Sequence, residues 1–249
     1  KRLFALFAVS LFFLSCLFLM GVDAAIVVEE KAEKNIILPG ESAIYHLEIL
    51  NTGSNDGFGI TTTDNNFRIK GITSLEIESN QRKTAEIEIY PIGELKPGSY
   101  SVNIRVFSKS SGGAADKALL VNLVAFDQLV SAELEYSPQG LDPRKENLVK
   151  INLKNRNNIP LKNLQLSIES SLFKDERIID LLPLEARSEE IKVNFKDVVE
   201  KGSYELRLRI TMGGKGLVDR EERVNVGYYV DVTEDRKLED GFLVKKIVL

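Results

Sequence analysis

Gly98-Ser99-Tyr100-Ser101-Val102-Asn103-Ile104-Arg105 and, 104 residues later, Gly202-Ser203-Tyr204-Glu205-Leu206-Arg207-Leu208-Arg209 are the stretches on which the fold turns. In each, a turn glycine precedes a tyrosine that opens a strand, and apolar residues then fall at every second position. Such a tyrosine makes a corner. Its ring contributes buried area while its hydroxyl reaches back to turn backbone, pinning how the chain enters the strand. Tyr100 and Tyr204 are therefore read as structural tyrosine corners, one in each half of the chain.

The same shift relates the rest of the sequence. Pro39 falls on Pro143, Asn51 on Asn155, Glu86-Ile87 on Glu190-Ile191, Arg105 on Arg209 and Asp127 on Asp231. A constant offset over a domain length means duplication. The period-two pattern recurs in Tyr45, Leu47 and Ile49, in Val149, Ile151 and Leu153, and in Leu164, Leu166 and Ile168. Helical periodicity is nearly absent, with room for one short turn between Phe195 and Lys201. The fold class expected is all-β: two tandem antiparallel sandwiches of about seven strands each, spanning residues 26–127 and 130–231. The link near Phe126 to Leu129 is short and free of Gly, Ser and Pro runs, which predicts sandwiches set end to end with limited freedom. Residues 232–249 read as a linker and a strand of a third copy, because Ile247 and Leu249 can be laid on Ile151 and Leu153. That strand should pack poorly or be borrowed by the second domain as an edge.

Lys1-Arg2 and the apolar run from Leu3 to Val22 make residues 1–25 a signal peptide or an N-terminal membrane-anchor helix, with Val22-Asp23-Ala24 as the small-residue cleavage site of the first reading. Both place the remainder of the chain outside the cytoplasm. The single cysteine, Cys16, lies within that run, so residues beyond it hold no thiol for catalysis, metal binding or crosslinking. With 33 basic against 37 acidic residues, the formal net charge of −4 argues against a nucleic-acid surface, which needs clustered cations.

Chemistry-bearing residues are sparse. His46 is the only histidine, and the alternation points it outward. One His and no available Cys assemble neither a Ser-His-Asp triad nor a zinc site built from three or four N/S ligands. Paired carboxylates would have to come from Glu86 and Glu88 or from Glu189 and Glu190, all read as lying on or beside exposed strand faces. The polar stretch Asn51 to Gly57 misses calcium-loop spacing at its first two ligand positions. Asp56-Gly57-Phe58-Gly59-Ile60 offers two readings, a bent core strand or an interaction loop presenting Phe58 and Ile60. Tyr90, Tyr228 and Tyr229 are the aromatics on which a sugar could stack, and the chain has no Trp. No catalytic residue, metal ligand or cofactor is expected.

Pro39-Gly40-Glu41, the strand into Leu50-Asn51-Thr52-Gly53, and Leu95-Lys96-Pro97-Gly98-Ser99-Tyr100 together resemble the CARDB and NEW3 types of Ig-like domain, tandem modules of bacterial and archaeal surface proteins. The resemblance covers roughly residues 26–231. In the second copy Asp142-Pro143-Arg144-Lys145 replaces Pro-Gly-Glu, and Asn155-Arg156-Asn157-Asn158 lacks the glycine of Asn-Thr-Gly. Neither copy has a cysteine two residues after its corner tyrosine, where an immunoglobulin domain would. The resemblance implies a non-catalytic spacer, adhesion and interaction module of an envelope protein, secreted or membrane-associated, whose partners are other surface proteins or glycans. A rival reading makes it an accessory or carbohydrate-binding segment of a secreted hydrolase.

Overall fold

A computed structural model describes residues 26–137, 140–195, 199–228, 232–237 and 243–247, the last two segments as backbone only. The expected signal or anchor in residues 1–25 lies outside the described residues, as do residues 196–198 of the helical turn expected before Gly202. Contacts divide the chain into two units at Val124/Ala125, slightly ahead of the expected boundary, because Phe126–Gln128 forms a single 3-10 turn that belongs to the second unit.

The first unit contains β1 (Ile26–Lys34), β2 (Ile36–Ile37), β3 (Ala43–Asn51), β4 (Asp56–Thr62), β5 (Phe67–Gly71), β6 (Ser74–Ile77), β7 (Arg82–Pro91), β8 (Gly98–Ser108) and β9 (Ala114–Leu123). One sheet runs β1-β3-β7-β5 and the other β2-β9-β8-β4-β6. All pairings are antiparallel except β2 with β9. Inward residues of both sheets, among them Leu47, Ile49, Phe58, Ile87, Val102, Ile104 and Val121, form one fully buried core. Burying a side chain of this size stabilises by about 1.5–3 kcal/mol. Two strands more than expected arise because the chain after β4 is shared between the sheets, β5 pairing with β7 and β6 with β4. Gly71 makes the switch at φ +106°, with the space of a Cβ taken by the Glu86 carbonyl, so only glycine fits both the torsion and the gap.

The second unit contains β10 (Val130–Glu135), β11 (Asn147–Asn155), β12 (Leu161–Glu169), β13 (Lys174–Leu181), β14 (Ala186–Val193), β15 (Gly202–Met212) and β16 (Lys215–Val226). Its sheets run β10-β11-β14 and β13-β12-β15-β16. Leu141 bridges to Val226 in parallel, repeating at single-residue length the β2–β9 contact. The bounds of β11 and β15 are those of β3 and β8 moved by 104. Elsewhere the shift slips. Ile60 pairs with Val106 whereas Leu166 pairs with Ile210, so β12 stands two residues further on, and Arg105 pairs with Asp116 whereas Arg209 pairs with Asp219, one residue short. Loops absorb those changes while the central strands hold their register.

The final two strands, β17 (Val232–Lys237) and β18 (Leu243–Ile247), pair antiparallel with each other as a separate two-stranded sheet. Of the two expectations for this segment, loose packing or use as an edge of the second unit, the described backbone shows β18 paired along one edge with the strand immediately before it.

Two turns repeat the same hydrogen-bond pattern, with the carbonyl partners one residue further on in the second copy. Asn51 is fully buried at the end of β3. Its Nδ2 donates to the Ser54 and Ile77 carbonyls at 2.6 and 3.0 Å, and its Oδ1 accepts from Gly53 N–H at 2.9 Å. Asn155, equally buried, donates to the Ile159 and Leu182 carbonyls at 2.7 and 2.9 Å and accepts from Asn157 N–H at 3.0 Å. Each amide closes its own loop and ties it to the turn before β7 or β14, satisfying backbone that would otherwise be buried without partners. That second turn carries Asn80 at φ 59° and Leu184 at φ 58°, the same left-handed position held once by a residue suited to it and once by one that is not.

Candidate functional site

Both corner tyrosines close the same bond. Tyr100 Oη donates to the Lys96 carbonyl at 2.6 Å and Tyr204 Oη to the Glu200 carbonyl at 2.8 Å, each four residues upstream. Tyr100 also meets Phe67 edge-on, ring centroids 5.4 Å apart. A hydroxyl held by its own turn and a ring laid on the sandwich have a framework role.

Phe58 and Ile60 are not an interaction loop. They are 0% and 5% exposed, lying inside β4 and facing the core; the glycines at 57 and 59 leave the strand regular enough to pair with both β6 and β8. The polar loop before β4 is likewise committed, since Asn51 closes it and Asn55 Oδ1 accepts from Ser79 N–H at 2.8 Å. Beside it, the buried Asp56 accepts a short hydrogen bond from Ser108 Oγ. Burial alone would raise its pKa, but donors from Ser108, Ser110 and the Gly57 backbone outweigh it and hold the carboxyl below its usual range.

The candidate carboxylates do not converge in a cleft. Glu86 is exposed and Glu88 half-buried on β7, both on the side of the strand away from Ala85 and Ile87. Glu189 corrects the expectation of an exposed strand face. It is 8% exposed, sharing the inward side of β14 with Ile191 and Val193, and meets Arg177 Nη1 of β13 at 3.1 Å. Arg187 approaches its other oxygen at 2.5 Å, and Arg177 is held in turn by Asp175 at 2.9 Å. The parity of Ile191 was the signal that placed it. The result is an ion cluster joining the two sheets at the edge that β5 occupies in the first unit.

The other buried polar side chains have framework partners as well. Tyr45 donates to the Leu120 carbonyl of the opposite sheet; burial, then the nearby Glu30, raises its pKa, against the opposing effect of that bond. Asn147 closes the turn at Asp142 by donating to the Asp142 and Lys145 carbonyls at 2.8 and 2.9 Å. Of the aromatics considered for sugar stacking, Tyr90 is half-buried, Tyr228 lies beneath the cations of Arg144 and Lys201 at 4.8 and 4.9 Å, and Tyr229 lies outside the described residues.

A shallow depression of about 710 Å3 lies on the outer face of β13, β12 and β15, where Gln165, Ser167, Glu169, Lys174, Glu176 and Arg209 alternate in charge. None of the buried polar groups lines it. His46, on the outer face of β3, is not isolated: its Nε2 lies 2.8 Å from Glu33 Oε2, a contact the sequence reading missed because Glu33 comes from the neighbouring strand, at the bulge in β1 between Ala32 and Lys34.

No family model matches this chain and no curated protein matches it. Among solved structures it is similar to red sea bream transglutaminase at 11% identity and TM-score 0.33, with 82% of this chain covered; it spans 31% of that protein's length. It also aligns with the E. coli chaperone DraB at 12% identity and TM-score 0.31, over 79% of this chain and 98% of that one. With E. coli alpha-2-macroglobulin the values are 11%, 0.33, 82% and 17%. TM-scores of this size establish no relationship.

Proposed function

We propose that the chain is a non-catalytic structural module of a cell-envelope protein, two Ig-like sandwiches in tandem that serve as spacer and interaction scaffold on the extracytoplasmic side. The Ig-like assignment draws support from the sheet orders, from the short parallel contact of the first edge with the last strand in both units, and from the two tyrosine corners. One observation carries the functional reading. In the described residues the buried polar side chains Asn51, Asp56, Ser108, Asp142, Asn147, Asn155 and Glu189 are all engaged in holding turns or joining sheets. A catalytic centre draws on shifted, convergent groups in a cleft; here such groups are spent on architecture. Extracytoplasmic placement rests on the basic-then-apolar sequence of residues 1–25.

The test is labelling of intact cells that produce the full-length chain with a membrane-impermeant, amine-reactive biotin reagent. Labelling before lysis is the expected result, given the many exposed lysines. Labelling only after lysis would overturn the envelope reading.

A further inference from the structure

We infer that Glu33, His46 and Glu86 form a surface site for one divalent transition-metal ion of the zinc, copper or nickel class. The three side chains come from three adjacent strands, β1, β3 and β7. His46 and Glu86 are directly opposite in the β3–β7 ladder, so their side chains leave the same outer face side by side. Glu33 joins them from β1, where it is the extra residue of the bulge between the pairs Ala32–Tyr45 and Lys34–Ile44 and follows by two positions Lys31, the partner of His46 in the ladder. Their ligand atoms all lie within 4.8 Å of one another, and the closest pair is 2.8 Å apart. Ligands held about 2.0–2.1 Å from a tetrahedral ion stand roughly 3.4 Å apart, so small side-chain rotations suffice.

Electrostatics points the same way. In the described residues neither Glu33 nor Glu86 has an ion pair with Lys or Arg. The neighbouring cations are committed, Arg82 to Glu48, Lys34 to Glu41 and Lys117 to Glu30. Lys31, paired with His46 across the β1–β3 ladder, is the ammonium that competes for this patch. Two carboxylates flanking an imidazole favour a borderline ion over calcium or magnesium, which prefer all-oxygen sites with more ligands. Counting only nitrogen and sulfur ligands hides the site, because carboxylate oxygens complete it. The remaining coordination positions are left to water or to a group from another molecule.

His46 is the only histidine in the chain, which makes its imidazole NMR signals an unambiguous probe. Zinc chloride titrated into the full chain after chelator treatment is expected to shift those signals to saturation at one equivalent. Isothermal titration should give a matching stoichiometry that H46A abolishes. E33Q and E86Q should each weaken binding by at least the roughly 10–100-fold that loss of an outer-shell partner costs, and calcium and magnesium should leave the imidazole signals in place. Imidazole signals unmoved by zinc would overturn the site. So would an affinity unchanged in the E33Q/E86Q double variant, which would reduce it to a lone histidine.

Discussion

Asn51 and Asn155, 104 residues apart, end equivalent strands and make three hydrogen bonds of the same pattern, the two carbonyl acceptors lying one residue further along in the second copy. Each ends a central strand, caps its own loop and holds the turn that starts the next strand of its sheet. Selection on a framework leaves this signature, in which a buried amide recurs while the surface around it diverges.

N51A leaves two carbonyls and one amide of a buried turn without partners, which should destabilise the first unit by about 2–4 kcal/mol. Amide hydrogen exchange reads the units separately. Faster exchange is expected in β3, β4 and β7 with β11 and β14 unchanged, and N155A should give the reverse pattern.

Y100F and Y204F each remove one hydrogen bond and keep the ring, so each should cost on the order of 1 kcal/mol. Denaturant unfolding of the two variants checks this, with no change in midpoint counting against the corner. Y100F also keeps the edge contact with Phe67.

Leu184 sits at φ 58° with 57% of its surface exposed, where its counterpart is Asn80. L184N should stabilise the second unit by about 0.5–1 kcal/mol and N80L should destabilise the first by a similar amount, because asparagine tolerates the left-handed region and leucine does not. Thermal unfolding of both variants tests the pair.

Ser108→Ala should have a pH-dependent effect. Asp56 is held below its ordinary pKa in the folded state, so it adds stability above the unfolded carboxyl pKa near 3.9, and that contribution is lost as pH falls through the folded value. Removing the Ser108 donor should cost on the order of 1–3 kcal/mol at pH 7 and progressively less as pH falls below the ordinary carboxyl range and through the lowered folded pKa of Asp56, where the carboxyl takes up its proton. Unfolding measured at pH 7 and in acid distinguishes this from a loss independent of pH.

Much of this architecture was legible in the sequence, and the reason is parity. Strands β3, β8, β11 and β15 alternate cleanly, and a one-residue slip would turn every apolar side chain to water, so their bounds and facing follow from the letters alone. The same parity places Phe58 and Ile60 in one inward set, and it would have placed Glu189 beside Ile191. Three features were not legible. The division of residues 67–77 between two sheets depends on what lies opposite Gly71. The slips of β12 and β16 depend on loop lengths. The meeting of Glu33 with His46 depends on the pairing of β1 with β3. In each case the deciding partner is distant along the chain.

Tandem copies that share a framework can trade strands while folding, and the position shared by Ala85 and Glu189 sets a barrier to that error. Ala85 is fully buried on an inner strand of its sheet, whereas Glu189 sits on an edge strand with two guanidiniums within reach. Were β14 to take the place of β7, Glu189 would keep Arg187 of its own strand but be buried without Arg177, which β13 supplies, a misassembly penalised by several kcal/mol. One acidic side chain thus works as a sorting label, disfavouring the entry of β14 into the first half of a duplicated chain.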